Sequence, residues 1–348
     1  MKKISNANFW QRIHLLAKEK SFPLRVMFEL TYDCNFRCKH CYVPPAYQRK
    51  YRKLQLKTRQ VFEVIDQLKD CGCLYLGFTG GEPLVRPDIL AILNYAKKQG
   101  FQVILYSNGS KFNQRVVSQL ADISPNKIDI TIPGMSKHVF ESITNVSGSW
   151  EAVFKGIKLL RDKKVDLGFK TCLLKENSRE INKIKSFSRS LNIQHRLDTL
   201  LCARLDGSPE PYKFRGRLLG ARRRKEYSKA AVLKQSCAAK GLRSSFLFFC
   251  GAGISQAAIT PAGELKLCAM IDQPKYNILD LGFEKAWENL QGVVCGSRPD
   301  KTYRCLSCDL RAYCVWCPAR SWLYNKSFCA CDPRLRLWAQ KVKEDYAR

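Results

Sequence analysis

The placement of its cysteines constrains this chain more than any other feature. There are 17 in 348 residues, an odd number, with three between Cys34 and Cys41 and six between Cys305 and Cys331. The first 25 residues scatter Lys, Arg and Glu through their apolar positions and lack the unbroken apolar core of a secretory signal. The chain is therefore expected to be cytoplasmic, a compartment where proteins do not keep disulfides. Thiols packed this closely then point to metal. The longest apolar run, Phe246–Ile254, is broken by Gly251 and Gly253 and falls short of the roughly 18 residues of a membrane span.

The spacings narrow the chemistry. Cys34, Cys38 and Cys41 read C-x3-C-x2-C in one tight loop. Tetrahedral zinc normally takes four ligands. A [4Fe–4S] cluster held by three cysteines keeps one iron free for a small molecule. His40 is a conceivable fourth zinc ligand, but it stands directly between Lys39 and Cys41, and adjacent residues rarely reach one ion from the same loop. Cys305, Cys308, Cys314 and Cys317 read C-x2-C-x5-C-x2-C, a strong metal signal, with Cys250 and Cys268 before it and Cys329 and Cys331 after. On spacing alone, a zinc ribbon and an iron–sulfur site serve that segment equally well.

From about residue 25 to 200, strand-like runs alternate with helical patterns. The strand candidates are Arg25–Thr31, Leu74–Phe78, Gln102–Ser107, Ile128–Ile132, Val165–Leu174 and Ile193–Leu200. Between them, Thr58–Cys71 places Val61, Phe62, Ile65 and Leu68 at helical spacing, with Thr58 as the expected N-cap and Gly72 as the stop. Asp88–Gly100 and Trp150–Lys163 repeat the pattern. Alternation of this kind builds a parallel sheet with right-handed crossovers. Six strands are too few for a closed eight-stranded barrel, so the expected fold is α/β: a partial (β/α)6 TIM-type barrel followed by a small cysteine-rich domain, which the likeness described below implies to be an iron–sulfur domain. Its site belongs at the C-terminal strand ends. The expected divisions are an N-terminal segment 1–24, the barrel 25–205, a basic linker 206–249 containing Arg215–Lys225, and the cysteine-rich part 250–348.

The C-x3-C-x2-C loop after the first strand resembles the signature of the radical S-adenosylmethionine enzymes, C-x3-C-x-φ-C, with His40 at the aromatic position φ. Two further motifs strengthen the likeness: Gly80-Gly81-Glu82-Pro83 after the second strand, similar to the family's GGEP, and Ser107-Asn108-Gly109 at the end of the third. The resemblance implies a [4Fe–4S] cluster on Cys34, Cys38 and Cys41 whose open iron chelates S-adenosylmethionine. Reductive cleavage then gives a 5′-deoxyadenosyl radical that abstracts hydrogen from substrate. By the same likeness Gly80, Gly81, Glu82 and Pro83 face the methionine end, Glu82 receiving its ammonium group. Ser107 and Asn108 lie near the ribose, and His40 beside the cofactor.

The later cysteines are similar to the SPASM extension of peptide-modifying members, with a final interval of two residues where the family has three. That likeness implies one auxiliary cluster on Cys305, Cys308, Cys314 and either Cys329 or Cys331. Cys250, Cys268 and Cys317 would be three ligands of another, with no fourth evident between Cys250 and Cys268. Cys71, Cys73, Cys172, Cys202, Cys237 and Cys295 lie outside these motifs, and most are expected to be small buried hydrophobes.

The extension implies a peptide or protein substrate and oxidative maturation that forms a C–C or C–S crosslink. A haem-precursor reaction is the alternative within the family. A sulfatase-maturating activity ranks lower, because Ala269 follows Cys268 where that branch usually has an acid. An electron donor such as flavodoxin or ferredoxin is implied. About 24 residues precede the first strand, too few for a leader-binding domain, so if the substrate has a leader, a separate leader-binding protein or the basic surface is expected to hold it. The net charge of +30, from 60 Lys plus Arg against 30 Asp plus Glu, raises a reading of another class, an RNA-binding or RNA-modifying iron–sulfur protein. Aromatics do not interleave with the arginines of 215–225 as a single-strand platform would want. The charge favours an acidic partner.

Overall fold

A computed structural model describes residues 6–216, 247, 248 and 250–347. Residues 217–225 of the basic stretch and Cys237 lie outside the described residues. Six parallel strands follow the alternation: β1 (Arg25–Thr31), β2 (Tyr75–Gly80), β3 (Gln102–Ser107), β4 (Lys127–Thr131), β5 (Leu167–Cys172) and β6 (Gln194–Asp198). Each pairs with the next in sequence order. Helices fill the crossovers, among them Thr58–Asp70, Ile89–Lys98, Ser149–Asp162 and Ile181–Ser190. β3 alternates in burial: Val103 and Leu105 are closed to solvent, while Gln102, Ile104 and Tyr106 are half-buried. The buried set packs with the helix residues Ile92 and Leu93 in one core. Each such side chain contributes about 1.5–3 kcal/mol by leaving water.

On the other side of β1 the sheet continues. Strand β7 (Gln256–Ile259) pairs parallel with β1, Val26 opposite Ala257. Two short antiparallel strands, β8 (Glu264–Lys266) and β9 (Lys275–Asn277), complete a nine-stranded sheet of order β6-β5-β4-β3-β2-β1-β7-β8-β9. The six-stranded open arrangement is present as expected, and the cysteine-rich segment adds strands to the same sheet.

The helix Thr58–Asp70 begins differently from its sequence pattern. Lys57, not Thr58, is the N-cap, and Gln60 Oε1 accepts its backbone N–H at 2.9 Å. Thr58 is the first helical residue, and its hydroxyl donates to Asp88 Oδ2 at 2.7 Å. The hydroxyl is thereby spent on a neighbouring loop rather than on its own helix.

Candidate functional site

The loops after β1, β2 and β3 are tied into one unit. The β1–β2 register shifts between Glu29 and Thr31. Arg86, four residues past Glu82 and almost fully buried, donates to the Leu30 carbonyl at 2.9 Å. Gly81 N–H donates to Thr31 O at 2.7 Å and Glu82 N–H to Asp33 O at 2.8 Å. That crossing needs the two glycines. A Cβ on Gly81 would lie 2.2 Å from Asp33 O, and Gly80 sits at φ +138° with Thr31 O only 2.0 Å from where a Cβ would be. In this fold both glycines serve the approach of β2 to the cysteine loop.

Glu82 is closed to solvent. Its Oε1 accepts from Leu84 N–H at 3.0 Å and Ser107 Oγ at 2.9 Å, and its Oε2 accepts from Asn108 N–H at 2.6 Å. Burial outweighs these donors and pushes the carboxyl up to about 7. Asn108 Nδ2 donates to Asn35 Oδ1 at 3.0 Å and reaches Cys34 Sγ at 3.8 Å. Asn35 Nδ2 donates to Ser110 Oγ at 2.8 Å, and Ser110 Oγ to Asn108 Oδ1 at 2.7 Å. GGEP, SNG and the first cysteine of the loop are thus joined side chain to side chain. Pro83 is buried and opens the turn Pro83–Val85.

The cysteine loop is held from the other side by β4's crossover. Arg37 N–H donates to Thr144 O and Lys39 N–H to Ile143 O, while Lys39 Nζ pairs with Glu176 at 3.3 Å. Burial raises Cys34 to about 11 and raises Cys38 and Cys41; the Cys38 thiol is raised further by Cys41 and Cys34. Buried thiols this close stay protonated unless a cation supplies charge, which is the chemistry of a metal-ligand set. Three thiols in one loop, with no fourth cysteine beside them, fit a cluster that keeps one iron open better than four-coordinate zinc.

Among the described residues, buried side-chain atoms without partners are Arg25 Nε at the start of β1 and His40 Nδ1, Glu176 Oε2, Arg204 Nε and Arg215 Nη2 on segments that follow β1, β5 and β6. Burial, with Lys170 nearby, holds His40 neutral, down to about 4. Unsatisfied buried groups at the C-terminal strand ends fit polar ligand atoms that complete them.

The C-terminal cysteines form two groups. Burial raises the thiols of Cys305, Cys314 and Cys331, and Cys308 adds to the rise in all three. Cys329 is turned away: it is buried, and its Sγ donates to Arg298 O at 3.4 Å. Cys250, Cys268 and Cys317 are the second group; burial takes Cys268 up to about 12, with Cys317 and Cys250 adding to the rise. Of the remaining cysteines, Cys73 is buried, its thiol facing Leu24 O and Tyr75 O. Cys295 is exposed, which departs from the expectation of a buried hydrophobe because its helix Phe283–Gly296 buries a different face, including Ala286, Leu290 and Val294.

Sequence reasoning missed a charged cluster under the mouth. Glu29 on β1 and Lys266 on β8 pair at 2.7 Å, and the Tyr32 and Tyr42 hydroxyls donate to Glu29 at 2.9 Å each. Beside them a polar cavity of about 90 Å³ is lined by Tyr47, Lys50, Tyr51 and Asp272, among others. The unusual Glu in the apolar run RVMFELT was the one signal that could have found it.

Residues 28–187 match the model described as the Radical SAM superfamily. The chain is 23% identical to the AdoMet-dependent heme synthase of Methanosarcina barkeri, over 89% of this chain and 95% of that protein. It is 25% identical to mycofactocin maturase MftC of Mycobacterium ulcerans, over 82% and 80%. Its fold is similar to Streptococcus suis SuiB bound to S-adenosylmethionine, TM-score 0.69 at 18% identity over 95% of this chain and 83% of that one. It is also similar to anSMEcpe with bound AdoMet and the Cp18Cys peptide, TM-score 0.65 at 14% identity over 93% and 96%.

Proposed function

This chain belongs to the radical SAM superfamily, and from that premise we propose that it oxidatively matures a peptide substrate bound over the C-terminal strand ends. Cys34, Cys38 and Cys41 would hold the [4Fe–4S] cluster. Cys305, Cys308, Cys314 and Cys331 would hold one auxiliary cluster, and Cys250, Cys268 and Cys317 would ligate another. When bound, the reduced cluster and S-adenosylmethionine supply a 5′-deoxyadenosyl radical that takes a hydrogen atom from substrate.

The chain's own residues position and shield. Asn108 and Asn35 hold the cysteine loop in register with β3. Glu82, fixed by three donors, offers a carboxylate for an ammonium group, and a cation there would draw its pKa back down. His40, Arg204 and Arg215 offer partnerless N–H or ring-nitrogen positions to polar groups of cofactor or substrate.

One observation supports the oxidative reading: neighbouring thiols run from the first cysteine loop toward the C-terminal cysteines. Cys172, at the end of β5, acts on Cys38; Cys202 acts on Cys172 and is itself acted on by Cys317. Substrate bound there would sit between the radical source and an electron acceptor. A peptide substrate is supported by the likeness to the maturase MftC. A haem precursor is the second reading, supported by the end-to-end likeness to AdoMet-dependent heme synthase.

Anaerobically reconstituted protein with dithionite and S-adenosylmethionine should release 5′-deoxyadenosine, and Cys38→Ala should abolish it. Release that survives this change overturns the cluster assignment. Candidate peptides and iron-coproporphyrin, supplied separately, separate the two readings: mass loss of two hydrogens from a peptide supports the first, loss of carboxyl groups from the porphyrin the second.

A further inference from the structure

The proposed inner auxiliary site has three cysteines, Cys250, Cys268 and Cys317, and the intervening sequence from Cys250 to Cys268 has no other. An iron with no protein ligand would be open to substrate. The strand-end loops bring a fourth thiol to that place. Cys202 follows β6 and is half-buried, and its Sγ lies 3.1 Å from Met270 Sδ, two residues past Cys268. The backbone beside it is clamped from the other ligand segment: Arg320 Nη1, three residues past Cys317, donates to Leu201 O at 3.2 Å. Cys202 is therefore bracketed by the two chain segments that carry Cys268 and Cys317.

We propose that Cys202 is the fourth cysteine ligand of the inner auxiliary cluster, completing Cys250, Cys268 and Cys317. The inference rests on the reading that those three hold a cluster. Ligation forms one Fe–S bond and releases one proton from the thiol; no electron changes hands. A cluster closed in this way accepts electrons from substrate without binding it, so the substrate need not offer a ligating group.

The test uses the full chain with Cys34→Ala, Cys38→Ala and Cys41→Ala, which removes the open iron of the first site. Reconstituted anaerobically, this parent should hold about eight irons in two clusters. Cyanide, which binds an open iron, is the probe, read by electron paramagnetic resonance of the reduced protein. The expected result is a parent spectrum insensitive to cyanide and a Cys202→Ala spectrum that shifts with it. Should the alanine variant fail to fold, Cys202→Ser retains an oxygen ligand and should keep its iron with altered g values. Met270→Leu should leave the parent spectrum unchanged. Identical cyanide responses in parent and Cys202→Ala overturn the proposal, as does a response that appears on Cys237→Ser instead. A parent holding about four irons, unaffected by Cys268→Ala, overturns the cluster reading itself.

Discussion

Lys266 Nζ lies 2.7 Å from Glu29 Oε2, and the two side chains are 1% and 0% exposed. The pair joins β8 to β1 across β7, directly beneath the cysteine loop. Its value comes from being complete: Tyr32 and Tyr42 donate to the same carboxylate, and Lys266 also donates to Ala269 O at 3.3 Å. Lys266→Met should cost about 3–5 kcal/mol by leaving Glu29 buried without its cation. Glu29→Gln combined with Lys266→Met should recover much of that loss. Urea unfolding of the cofactor-free chains measures both, and a double variant no more stable than the single one would refute the coupling.

Gly81→Ala places a methyl 2.2 Å from Asp33 O and 2.6 Å from Tyr32 O, both backbone atoms with little room to yield. A loss above about 2 kcal/mol is expected, with S-adenosylmethionine binding weakened at least tenfold, about 1.4 kcal/mol. Gly292→Ala is the control. Nothing lies within 4 Å of its added carbon, and the helix should gain up to about 1 kcal/mol. Equal behaviour of the two variants would show that the crossing of β2 over the cysteine loop is not tight.

Glu82 sets a pH dependence with a definite sign. Its folded pKa is raised to about 7 from 4.5 by burial. The folded chain therefore holds this proton more tightly than the unfolded chain does. The stability it contributes is full below the unfolded value and is lost as pH rises through 7. Relative to Glu82→Gln, the cofactor-free wild type should lose about 3 kcal/mol between pH 4.5 and 8. Chemical denaturation of both proteins across that range measures the difference, and a flat difference would contradict the assignment.

The two late cysteines should separate cleanly. Cys331→Ala is expected to lower the iron of reconstituted protein by one cluster's share, because Cys331 neighbours Cys305, Cys308 and Cys314. Cys329→Ala removes a buried thiol bonded to Arg298 O and should cost about 1 kcal/mol of stability while iron is retained. Iron and sulfide assays decide it, and the reverse pattern would exchange the two roles.

The barrel strands were legible because their pattern is local. β1 and β3 fall where their apolar runs lie, Arg25–Thr31 and Gln102–Ser107, and turn glycines bound their neighbours. The three motifs that the structure joins, Cys34–Cys41, Gly80–Pro83 and Ser107–Gly109, were legible for the same reason, each being a short run on one loop. β7, β8 and β9 were not: strands of three or four residues carry no periodicity to read. The Lys266–Glu29 pair was also out of reach. A lysine in Glu264–Lys266 reads as a solvated edge until its partner on β1 is placed opposite. Cys172 and Cys202 looked like isolated small residues in sequence, and only the curl of β5 and β6 brings them toward Cys38 and Cys317.

β1 is hydrogen-bonded on both flanks, to β2 and to β7. A fragment that stopped after β6 would leave it as an open edge, offering unpaired N–H and C=O groups to any passing chain. The same cut would strand Glu29 beneath the cysteine loop. Excising the later cysteines by truncation would thus yield a sticky, internally charged remnant rather than a minimal catalyst, and point substitutions are the instrument that leaves the molecule whole.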